Sequence, residues 1–207
     1  MGVIFLKKFS IAVCNYIFNN KALFILLFIV FTVGMVIGAY SLDMFTDDKL
    51  LEMRKSTDIY FSVSELNSVD KSEIFIELVK KNVLAVFYIW LSGFFVFLLP
   101  VVFVQILLKG VRLGFSLAYF TAVYGFKGAF FSSARLLLGN FLILPILFFY
   151  SVHIIKFSKE KHKLSVKRCV VLKSLLPFIL ACVILLITGG INSYILYPVF
   201  RLIGAFV

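Results

Sequence analysis

From Val83 to Leu108 no residue carries a charge, and this run constrains the chain more than any other feature. Written as one α-helix it rises about 1.5 Å per residue, longer than the roughly 30 Å hydrocarbon core of a bilayer. Pro100 lies inside it and offers a cause for a kink that absorbs the excess. The rest of the 207 residues agrees with a membrane solvent, since 62% are hydrophobic and a soluble domain is nearer about half.

The other segments take their places around that run. Residues 1–21 read as a cytoplasmic leader, with Phe5, Phe9, Ala12, Val13 and Tyr16 at helical spacing on one face of a surface helix. Residues 22–41 hold a first crossing, uncharged from Ala22 to Tyr40, with Gly34 and Gly38 spaced to let another helix approach. Its length and its long apolar leader favour an uncleaved anchor over a signal peptide cut near Ala39. Residues 42–82 form the one long hydrophilic segment and hold all the acids except Glu160. Asp70 followed by Glu73 marks the start of a helix that runs on into the bilayer. Leu50, Leu51, Ile59 and Tyr60 predict that the loop packs on something. Residues 83–207 form a four-crossing cluster. It includes a crossing from Leu136 to Ile155 with Pro145, a basic segment 156–173, and a last crossing from Ser174 with Pro177 near its start, ended by Gly189 and Gly190.

Charge sets the topology. Lys7, Lys8 and Lys21 place the leader in the cytoplasm. The first crossing then carries the acidic loop outside, and the second returns to a tight cytoplasmic turn at Lys109-Gly110-Val111-Arg112. If Leu113 to Phe126 also crosses, the basic segment 156–173 is cytoplasmic as well. That stretch is short for a helix, and a re-entrant hairpin at Gly125 to Gly128 is its alternative. The expectation is an all-α polytopic membrane protein with about five transmembrane helices, a cytoplasmic N-terminus and a partly helical extracytoplasmic loop.

Chemistry is sparse. No carboxylate lies between Val83 and Lys159, whereas proton-coupled carriers place acids within their crossings. The histidines are His153 and His162, and the cysteines Cys14, Cys169 and Cys182 are far apart. No zinc spacing, disulfide framework or Gly-x-Ser-x-Gly elbow is present. A Ser–His pairing of His153 with Ser116, Ser132 or Ser133 is the one catalytic constellation to weigh. No catalytic, cofactor or metal residue is assigned. The net charge of +11 reads as membrane orientation and lipid contact rather than nucleic-acid binding. Gly34, Gly38, Pro100, Gln105, Lys109, Gly110, Arg112, Gly114, Asn140 and Pro145 are the candidate helix-packing or turn residues. Asp47, Glu52, Asp58, Tyr60, Glu65, Asp70 and Glu73 are the candidate docking residues of the loop.

The stretch WLSGFFVFLLPVVFVQILLKGVRLGF, Trp90 to Phe115, resembles the central signature of the stage II sporulation protein M family. GFKGAFF from Gly125 and GNFLILP from Gly139 to Pro145 resemble it too, as does the order of anchor, loop and apolar cluster. The resemblance implies a multi-pass protein of the mother-cell or septal membrane acting in engulfment during endospore formation. It implies stage II sporulation proteins D and P, which degrade peptidoglycan, as partners, and the role of a non-enzymatic scaffold that recruits or positions them. The alternative is a small channel, flippase or transporter core without proton coupling, motivated by helices broken at Pro100 and Pro145.

Overall fold

The computed structural model describes residues 14–61, 71–140, 143–161 and 167–196, and all regular structure among them is helical. Residues 14–19 are helical and lead through Asn20 into α1, Lys21–Tyr40, which tightens into a 3₁₀ turn at Ser41–Met44. Then come α2, Asp47–Phe61, and α3, Lys71–Ser92. A 3₁₀ turn, Val96–Leu98, precedes α4, Leu99–Asn140. The last helices are α5, Ile143–Lys161, and α6, Lys167–Ile191, whose end widens into a π turn at Asn192–Leu196. The rest of the predicted surface helix, the candidates Glu65 and Asp70, His162 and the tail beyond Leu196 lie outside the described residues.

The long uncharged run is not one kinked helix. It is a helical hairpin that turns at Gly93, Phe94 and Phe95. The Ser92 hydroxyl donates to the Ile89 carbonyl at 2.6 Å, and Phe95 is extended (φ −130°, ψ 121°). A side chain that competes for a helix's own carbonyl favours such an end. Gly93 also leaves room for α5, since a Cβ there would lie 3.0 Å from Ile154 Cγ2. Pro100 therefore does not bend a helix. It is the second residue of α4, where a missing N–H costs nothing and a fixed φ helps. Pro145 is the third residue of α5 and is placed alike. Pro177 lies well inside α6, which begins earlier and ends later than expected: Gly189 and Gly190 are still helical.

The expected turn at Lys109-Gly110-Val111-Arg112 is absent. Helical backbone is continuous there, and the only non-helical residue inside α4 is Gly125 (φ 65°, ψ −153°). Leu113 to Phe126 is therefore no short separate crossing but the later half of a long one.

Packing gives each helix its direction. Gly34 faces Leu107 and Val111, and Gly38 faces Val111 and Phe115, so α1 and α4 up to Gly125 run parallel. The tight turn makes α3 antiparallel to α4. Phe75 and Val79 of α3 meet Gly189 of α6, and Trp90 lies 5.2 Å from Phe178 between ring centroids, so α3 and α6 are antiparallel. Phe24 lies 5.1 Å from Phe149, whereas Lys156 sits 5.6 Å from the Tyr16 ring, so α5 runs against α1. Directions thus alternate along α1, α3, α4, α5 and α6.

Among the described residues three helical stretches are long and apolar enough to cross a membrane: Lys21–Met44, Val96–Val123 and Leu175–Tyr194. They belong to α1, α4 and α6, which all point the same way. Each turns one apolar stripe inward, with Leu27 and Phe31, Val102 and Ile106, and Ala181 and Leu185 buried at helical spacing. Each also exposes apolar side chains outward, such as Phe28 and Val36, Val104, and Leu176 and Leu180. A helix apolar on both faces suits lipid. Val86 and Ile89 of α3 and Leu147 and Ile154 of α5 complete the core.

The helix α2 stands apart. Among the described residues no helix of the bundle packs along it.

Candidate functional site

Two features stand out of this bundle: a glycine seam and a buried polar contact beside it. The seam joins α1 and α4. A Cβ on Gly34 would strike the Leu107 carbonyl, one on Gly38 the Val111 carbonyl, one on Gly110 the Phe31 carbonyl, and one on Gly114 the Met35 carbonyl. The four glycines are interleaved, two per helix at a spacing of four, and every obstacle is backbone. Between membrane helices there is no hydrophobic drive to association, so close backbone packing of this kind carries the contact.

The polar contact lies one residue before Gly110. Lys109 Nζ donates to Oδ1 of Asn82 on α3, and Asn82 is 3% exposed. The charged residues beside this contact are both positive: Arg112 follows Lys109 by one turn of α4, and Lys81 directly precedes Asn82 on α3. The nearest acid in sequence, Glu77, accepts from Lys81 at 2.6 Å in an exposed pair one helical turn apart. That hydrogen bond, and then the Lys81 charge, hold the Glu77 carboxyl below the usual carboxylate range. A cation at this depth is costly unless it reaches a headgroup or a counter-charge.

Lys109 and Arg112 were expected at the cytoplasmic turn. They lie instead at the opposite end of the bundle, beside Gly34 and Gly38, near the end of α1. Gln105 is half-buried on α4, one turn back from Lys109. Asn140 is half-buried at the end of α4, away from the seam in sequence, and Pro100 and Pro145 are exposed. Of the loop candidates, Asp47, Asp58 and Tyr60 belong to α2 and Glu73 to the first turn of α3. The Glu52 side chain is exposed on α2. Asn82, the partner of Lys109, was not a candidate. Its signal was its place as the last polar residue before the uncharged run.

The Ser116–His153 pairing does not form. His153 neighbours Ile154, which packs on Gly93, whereas Ser116 neighbours Phe115, which packs on Gly38. The α4 helix between those two levels spans on the order of 25 Å. Among the described residues no three His, Cys, Asp or Glu side chains gather as a metal site. Buried on α3 and α5, Trp90 Nε1, Tyr150 Oη, Ser151 Oγ and Ser158 Oγ have no hydrogen-bond partner.

The family model described as Stage II sporulation protein M matches residues 25–195, from α1 through the π turn. No curated protein and no solved structure matches the chain.

Proposed function

Because the chain belongs to the stage II sporulation protein M family, we propose that this sporulation-related membrane protein is a non-enzymatic scaffold. It holds peptidoglycan-degrading enzymes, stage II sporulation proteins D and P, against the wall during engulfment, from the mother-cell or septal membrane.

The observation that carries this reading is α2. It is a formed helix in the most polar part of the chain, it presents Asp48, Leu51 and Lys55 to solvent, and no bundle helix packs along it. Leu51 is 55% exposed, an apolar group that a partner can cover.

Topology supports the same reading. A single chain crosses a membrane three times in one direction only by returning twice, and α3 and α5 are the returns. The chain is therefore read as crossing five times. Lys21, Lys156 and Lys159 gather at the end where α1 begins, and on the positive-inside rule that end is read as the cytoplasmic one. The α2 helix then faces the wall. Replacing residues 47–61 by a flexible linker is expected to abolish capture of the hydrolases while the bundle still inserts; undiminished capture would overturn the interface.

A second reading, a flippase or channel core, is favoured by the Lys109–Asn82 contact and by the unpartnered Trp90, Tyr150, Ser151 and Ser158 atoms inside the bundle. Movement of an ion or lipid by the purified protein in liposomes distinguishes it from a scaffold.

A further inference from the structure

We propose that Lys81, Lys109 and Arg112 form a binding site for the phosphate of an anionic phospholipid, in the leaflet at the Tyr40 end of the bundle. This site stands whether or not the protein is a scaffold.

Three cations from two adjacent helices share one acid, Glu77, which Lys81 already engages: Lys81 directly precedes Asn82, the partner of Lys109, and Arg112 follows Lys109 by one turn. Asn82 gives Lys109 a neutral partner, and Arg112 has no ion-pair partner among the described residues. Glu77 is engaged by Lys81, and the sequence has no further carboxylate until Glu160. Lys109 and Arg112 are therefore left without a carboxylate partner among the described residues.

Depth and shape point to lipid rather than to an acidic peptide. Lys109 lies level with Gly34, which α1 places about 9 Å from Tyr40. That is within reach of the headgroup layer for a long side chain. Below each exposed cation runs an exposed apolar stripe on the same helix face. Leu108 and Val104 lie one and two turns below Arg112, and Leu84, Tyr88 and Leu91 follow Lys81 at helical spacing. Each stripe is about one leaflet long. A phosphate between the cations with acyl chains along the two stripes satisfies both charge and shape, whereas an acidic peptide would leave the stripes unused.

The test is native mass spectrometry of the purified full chain, titrated with phosphatidylglycerol or with zwitterionic phosphatidylcholine. Phosphatidylglycerol is expected to stay bound preferentially. Arg112→Gln, an exposed change outside the helix contacts, is expected to weaken its retention about fivefold, the worth of one basic residue near anionic lipid. Arg112→Lys is expected to retain most of the preference, and Lys159→Gln, at the other end, to leave it unchanged. Thermal melting confirms that the variants are folded. Equal retention of both lipids, or an Arg112→Gln variant indistinguishable from wild type, overturns the proposal. Displacement of phosphatidylglycerol by millimolar inorganic phosphate points to a simple anion site and also overturns it. Displacement by an acidic peptide but not by phosphate assigns the site to a protein partner instead, and overturns it too.

Discussion

Gly38 of α1 and Val111 of α4 meet backbone to backbone: the space a side chain on Gly38 would need is held by the Val111 carbonyl and by Phe115 N, 2.9 Å from an ideal Cβ. The contact fixes the two helices as parallel, and much of the fold follows from that. Parallel helices cannot be neighbours across a tight turn, so a third must return between them. That helix is α3, and its hairpin with α4 brings Asn82 to Lys109.

Gly38→Leu and Gly114→Leu are expected to lower stability by about 1–3 kcal/mol, the usual cost of forcing atoms into a packed site. Here the obstacle is carbonyl backbone, which cannot swing aside. Thermal unfolding in detergent measures this. Gly190→Ala is the control, because a Cβ there meets nothing within 4 Å, and it should leave the midpoint unchanged or raised.

Gly125→Ala is expected to destabilise by a different route. A Cβ there also meets nothing within 4 Å, but the backbone (φ 65°, ψ −153°) belongs to a region used almost solely by glycine. The expected cost is about 1–3 kcal/mol, read from the same melts. An unchanged midpoint would mean that the helix is not broken at that residue.

Asn82→Leu removes the partner of Lys109 and leaves the ammonium facing apolar side chains. A loss of about 1–3 kcal/mol is expected, the penalty of an unsatisfied buried polar group, or more for a charge. Asn82→Asp keeps an acceptor and adds a counter-charge, so it should recover most of the loss. Equal damage by both substitutions would mean that the site needs the amide itself.

Reagent access in cells distinguishes the two hairpin geometries. A cysteine at Arg112 is expected to react with a membrane-impermeant thiol reagent from the same side as one at Asp43, and from the side opposite to one at Lys159. A turn at Lys109 to Arg112 predicts the reverse for Arg112.

The bilayer itself was legible in the uncharged run, and so were the charged ends of the helices and the glycine pair in α1. The place of the turn was not. Lys109 and Arg112 read as markers of a water-facing loop because charges flanking an apolar run usually are. In the fold they sit within a helix, because Gly110 and Gly114 beside them serve the seam with Gly34 and Gly38. Ser92 and Gly93, followed by Pro100, held the signal for the turn. An uncharged turn reads like uninterrupted helix in a pattern based on charge, and a first-turn proline looks like a kink until the start of the helix is known. The pairing of α1 with α4 is a long-range fact that neither segment declares alone. On α2 the hydrophilic pattern with scattered Leu and Tyr announced structure, but not that the bundle would leave it uncovered.

The central claim is that α2 is the docking element of a scaffold, and photo-crosslinking from Leu51 tests it most directly. A photoreactive residue at position 51, in the full chain in sporulating cells, is expected to cross-link to a peptidoglycan-degrading enzyme, stage II sporulation protein D or P. The same residue at Leu180, exposed on the outer face of α6, should not. Cross-links from position 51 to no wall-degrading enzyme, with the hydrolases still captured by a chain lacking α2, would contradict the account.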